Sequence, residues 1–190
     1  MVKNKNLLQN TSQNFNLKGF NSIQISLYIL LGSYIVNSSI LGFVAEENPM
    51  GMLSIEIIEN ICLFMIILVG IFSMLAVFFS SRRATRKAGE MVWNMASKKQ
   101  FWSYIVALLL GVVLLTLVKN TGINFTTPFF LLYLGLVLAI LNSQRKKEYY
   151  LLTAISLLLA IIVYIIPSYW YSSLLIIGGA FFVYGIVIRK

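Results

Sequence analysis

The sequence predicts an all-α integral membrane protein, a six-transmembrane-helix bundle with both termini cytoplasmic. Three observations predict it. The chain is 59% hydrophobic and only 11% charged, whereas soluble domains run about 45–50% apolar and about 25% charged. Six apolar segments are long enough, or nearly so, to cross a hydrocarbon layer about 30 Å thick. The basic residues between those segments gather on one side, as cytoplasmic loops do. Aromatic residues at 14% fit the same picture, because Trp and Tyr anchor at membrane interfaces.

Residues 1–22 come first, as a polar tail. "MVKNKNLLQNTSQNFNLKGF" is too rich in Asn and Gln to pack a core. It lacks the form of a cleavable signal, since Phe43 stands where a small residue should precede a cut at Ala45. A cytoplasmic tail is therefore expected. Residues 23–190 then form a single membrane domain. Its spans run from Ile23 to Val44, Met52 to Phe79, Phe101 to Val118, Pro128 to Asn142, Tyr149 to Ile166 and Ser168 to Ile188. The fourth is short and reaches back toward Ile123. The connections "EENPMG", "KNTGINFTT" and the turn at Pro167 are short, so three antiparallel hairpins are expected.

Alternation of six spans places fourteen of the fifteen basic residues together. Lys3, Lys5 and Lys18 lie in the tail, and Arg82, Arg83, Arg86, Lys87, Lys98 and Lys99 in the basic loop 80–100. Arg145, Lys146 and Lys147 follow span four, and Arg189 and Lys190 end the chain. Only Lys119 falls on the other side. The net charge of +9 thus marks topology and contact with anionic lipid headgroups, not a nucleic-acid partner. The shortage of Asp and His and the wealth of Ile, Leu, Asn and Lys suggest an AT-rich genome, hence a bacterial cytoplasmic membrane.

Within the basic loop, "SRRATRKAGEMVWNMASKKQ" carries Ala84, Ala88, Met91 and Met95 at helical spacing, with Trp93 out of step. An amphipathic helix lying in the interface is expected there, with the six cations of this loop against lipid headgroups. A solvated connector is the alternative. Within the spans, small residues recur four apart: Ser103, Ala107 and Gly111 in span three, Gly135, Ala139 and Ser143 in span four, Ser156 and Ala160 in span five. Gly178 and Gly185 lie seven apart in span six. Such stripes let helix backbones approach. Spans three–four and five–six both open on paired aromatics, Phe101–Trp102 and Tyr149–Tyr150. Shared membrane composition accounts for that likeness better than a repeat does.

Residue types exclude much chemistry. With no His and no Asp there is no Ser–His–Asp triad, no Cys–His pair and no His-ligated metal or haem. Cys62 alone cannot build a cysteine-rich zinc site or an internal disulfide. Membrane proteases that process quorum-sensing peptides need a Cys and a His. "AEEN" at Ala45–Asn48 is similar to the paired glutamates of prenyl-protease-like membrane proteins, but their histidines are absent. No enzyme and no cofactor is therefore expected.

The remaining polar candidates stand at the opposite end from the basic loops. Counting back twenty residues from Phe79 covers about 30 Å of helix and reaches Glu59. Glu59 therefore sits near the outer boundary, with Glu56 a turn beyond. Glu56, Glu59 and Asn60 share a face, and carboxylates in a first helical turn suit the macrodipole. With Asn37 of span one they could form an outer polar site offering oxygens to a cation, while Lys119, the only basic residue on that side, could instead pair with one of the glutamates. Ser33 and Tyr34 flank Asn37 in the same span. Two functions follow from this. The first is a non-catalytic membrane protein acting through contacts, as a complex subunit, scaffold, sensor or immunity-type factor, with a membrane-protein partner or a second copy. The second is a small solute or cation transporter or channel component, similar in size to a substrate-binding membrane subunit of a vitamin importer.

Overall fold

The computed structural model describes residues 19–44, 55–88, 93–119, 123–142 and 148–187. They form six α-helices: α1 (Phe20–Val44), α2 (Ile55–Ala88), α3 (Met95–Lys119), α4 (Ile123–Asn142), α5 (Glu148–Ile165) and α6 (Trp170–Val187). A 3-10 turn, Pro167–Tyr169, joins the last two. No strand occurs among the described residues. Four helices, α1, α2, α3 and α6, are long and apolar enough to cross a membrane, while α4 and α5 carry the shorter apolar stretches Thr126–Ala139 and Tyr149–Ile165.

Local chemistry sets the helix ends. Gly19 has a φ of 57°, a left-handed conformation that a residue without Cβ adopts freely. Its carbonyl accepts from the amides of Ser22 and Ile23 as α1 begins. Asn94 caps α3, its Oδ1 accepting from the Ser97 amide at 2.7 Å, which satisfies one of the orphan donors of a first turn. Pro167 has no amide hydrogen and stops α5. Helix α4 starts at Ile123, as its apolar length suggests, and carries Pro128 within its first two turns.

Helix α2 departs from expectation. Its 34 residues run about 50 Å, longer than a bilayer with its headgroups at about 40–45 Å. It continues through "SSRRATRKA", so the basic segment is split between the end of α2 and the start of α3, with no separate interfacial helix between them among the described residues. Of the expected stripe, Ala88 and Met91 lie outside the described side chains. Ala84 and Met95 are exposed, while Ser81, Thr85, Ser97 and Gln100 are buried. Thr85 can turn inward cheaply because its hydroxyl donates to the Ser81 carbonyl of its own helix at 2.9 Å. Trp93, out of step in the sequence, packs its ring 5.2 Å from Phe101 and 5.9 Å from Phe78, closing the α2–α3 turn.

Consecutive helices run antiparallel, and the six form a ring in which α6 returns to α1. The closest pairs are α4–α5 and α1–α6, then α1–α2 and α3–α4, whereas α2–α3 and α5–α6 touch lightly. Three hairpins were the expectation, yet two of the tightest pairings fall between hairpins. The small residues explain this. Ser22 and Ser26 of α1 donate to the Phe181 and Gly178 carbonyls of α6, each at 2.7 Å. A Cβ on Gly185 would stand 2.8 Å from the Gly19 carbonyl oxygen. In the other pair, Ser156 donates to the Leu131 carbonyl at 2.6 Å, and a Cβ on Gly135 would meet Leu157 at 2.9 Å. A core of Ile25, Leu131, Leu152, Val163, Ile177 and Phe181 lies between these two pairs.

Candidate functional site

Helices α2 and α3 are the least embedded. Only 11% of the apolar window of α2 and 17% of that of α3 is buried, against 28% in α1 and 33% in α6. Their weak mutual contact leaves space in the bundle. A cavity of about 190 Å³ lies there, walled by α2 from Ile66 to Val77, α3 from Phe101 to Leu115 and α4 from Phe130 to Leu138. Ile25 and Ile29 of α1 and Phe181 of α6 close its back. It is partly open. A smaller space of about 50 Å³ continues it through the shared residues Ile29, Ile66, Val69 and Phe130, toward Ser33 and Thr127.

The lining is almost wholly apolar, with hydroxyls only on Ser73, Tyr104 and Tyr133. The Tyr133 hydroxyl is already engaged, donating to the Ala107 carbonyl across the α3–α4 contact. Gly111 makes room for that ring, since a Cβ there would stand 2.6 Å from Tyr133 Cζ. An apolar cavity of about 150 Å³ stays dry and accepts a small aromatic, so this one suits a hydrocarbon occupant. Apolar periodicity marks which residues are lipophilic, not which faces stay unpartnered, so the sequence carried no signal for this space.

The polar candidates are less gathered. Glu59 is half-buried and Asn60 exposed, and Asn37 is half-buried on α1. Tyr28 packs on Phe72 with centroids 5.7 Å apart, and Gly32 faces Val69. That register puts Asn60 level with about Leu41, leaving Asn37 roughly a turn, about 6 Å, nearer the bundle centre. Asn37 and Asn60 therefore lie about a turn apart in depth. Ser33 donates to the Leu30 carbonyl of its own helix at 2.9 Å, and Tyr34 is exposed. The side chains of Glu56 and Lys119 lie outside the described residues, as do Glu46, Glu47 and residues 143–147. Among the described residues, no three His, Cys, Asp or Glu side chains come together as metal ligands would.

At the other end, Arg82, Arg83, Arg86 and Lys87 of α2 and Lys98 and Lys99 of α3 are all exposed. They flank the Phe78–Trp93–Phe101 aromatic cluster. Phe101 turns inward and Trp102 outward, and Tyr149 and Tyr150 of α5 repeat that arrangement. Comparison with protein-family models, with curated proteins and with solved structures returns no match for the chain.

Proposed function

We propose that the chain is a six-span membrane protein of a bacterial cytoplasmic membrane, with both termini cytoplasmic, that works without catalysis by holding other membrane components. The observation that carries this reading is the division of the bundle. The tight α1–α6 and α4–α5 pairs form a frame, and α2 and α3 stand loosely beside it around an apolar cavity. Close packing inside a membrane depends on backbone approach and hydrogen bonds. The frame has both, and the α2–α3 side keeps its surface available for a partner or a lipid. On this reading Glu59 stands in the headgroup zone and Lys119 close to the same level.

Reconstitution tests it. Glu56→Gln with Glu59→Gln should alter the yield or assembly of the protein and leave proteoliposomes as impermeable to cations as empty vesicles. A cation flux that the wild type supports and the double variant loses would overturn it. The cavity favours one competing role, as a component handling an uncharged apolar solute. Protein-dependent uptake of such a solute, unaffected by the glutamate changes, would establish that role instead.

A further inference from the structure

We propose that the cavity between α2, α3 and α4 holds one hydrocarbon chain of an anionic membrane lipid, whose headgroup rests on the basic residues where α2 ends and α3 begins. This rests on the six-span reading above and gives the α2–α3 side its ligand.

Shape comes first. The cavity follows α2 over twelve residues, Ile66 to Val77, and α3 over fifteen, Phe101 to Leu115, a rise of about 16–21 Å. One leaflet's share of the hydrocarbon is about 15 Å. Drawn out over that length, about 190 Å³ makes a slot, not a chamber. A slot one leaflet deep, with walls of Ile, Val, Leu and Phe, matches a single extended chain.

Polarity narrows the class. A polypeptide segment would bring amide groups into a lining with almost no partners for them, and unpaired amides are excluded from apolar surroundings. A hydrocarbon brings none. Access follows from the light α2–α3 contact and from the cavity being partly open. A chain enters there sideways from the leaflet while its headgroup stays at the surface.

Charge chooses the headgroup. The cavity ends at Val77 on α2 and at Phe101 on α3. Arg82 begins about 7 Å beyond the first along the helix, and Lys98 and Lys99 lie in the turn before the second. Six exposed cations thus flank the same end of the slot, against one acidic residue, Glu90, in the sequence between them. The Phe78–Trp93–Phe101 cluster stands between cations and slot, at the level where aromatic side chains meet the glycerol region.

The test uses the full-length protein in lipid nanodiscs containing phosphatidylglycerol with a diazirine midway along one chain. Irradiation followed by peptide mapping locates the chain. Labelling of the cavity residues Ser73, Met74, Leu108 and Val112, suppressed by Ser73→Phe, is the expected result. Phosphatidylcholine carrying the same chain should label them less. Lys98→Gln with Lys99→Gln, both surface changes, should cut the phosphatidylglycerol preference by roughly fivefold or more. Labelling confined to the outward residues Phe72, Leu75, Leu109 and Val113 would overturn the site while leaving the membrane reading intact. No labelling anywhere in the chain would overturn both. Equal labelling by a headgroup-free diazirine alkane would reassign the slot to free apolar solutes.

Discussion

Ser26 on α1 donates its hydroxyl hydrogen to the carbonyl oxygen of Gly178 on α6 at 2.7 Å, joining helices that lie at opposite ends of the chain. Ser22 repeats the contact one turn away with Phe181. Both serines are almost fully buried, so each removal deletes a bond that water does not replace. Interhelical bonds of this kind are worth about 0.6 kcal/mol on average and up to about 1.7 kcal/mol in a membrane. Ser22→Ala and Ser26→Ala should each lower stability by that order, read as midpoint shifts in denaturant titrations in mixed micelles.

Two glycines on α6, Gly185 and Gly179, should respond oppositely. A Cβ on Gly185 would meet the Gly19 carbonyl oxygen at 2.8 Å and the Ile23 amide nitrogen at 3.0 Å, backbone atoms that cannot rotate away. Gly185→Ala should therefore cost about 1–3 kcal/mol, as overpacking does. Gly179 has nothing within 4 Å of its would-be Cβ, and Gly179→Ala should gain about 0.4–1 kcal/mol through helix preference. Thermal melts of the two variants in the same detergent decide it by sign.

On α3, Gly111→Ala should displace the Tyr133 ring and break its bond to Ala107 together. Tyr133→Phe loses the bond alone, about 0.5–1.5 kcal/mol. Gly111→Ala should be the worse of the two, read as the larger midpoint shift in denaturant titrations in mixed micelles.

Topology is checked with single cysteines in a Cys62→Ser background. Asn48→Cys should react with an impermeant maleimide in intact cells. Arg83→Cys should react only after the membrane is inverted. The reverse pattern would contradict the placement of both termini in the cytoplasm.

Much of this arrangement was legible in the residues. Apolar length located all six helices, and even the early start of α4 at Ile123 showed in its shortness. Gly111, Gly135, Gly178 and Gly185 were recognisable as points of close approach, but the first three receive a neighbour's side chain and only Gly185 meets backbone, and spacing along one helix carries no information about which neighbour it meets. That is why α1–α6 and α4–α5 emerge as the tightest pairs only in three dimensions. Ser22 and Ser26 were hidden because they sit where the polar tail gives way to span one. The extension of α2 to Ala88 was hidden for a related reason. Arg and Lys favour helix nearly as well as Leu does, but a search for apolar runs stops at the first of them. Among the polar candidates, Asn37 and Asn60 shared a plausible chemistry without sharing a depth.

The most direct test of the account is native mass spectrometry of the protein extracted with its own lipid at near-natural abundance. The expected result is a stoichiometric complex, with a second polypeptide, a second copy or a retained anionic lipid bound to the chain. A solitary protein carrying a reproducible cation or small-molecule adduct, lost when Glu56 and Glu59 become Gln, would contradict it and make transport the function.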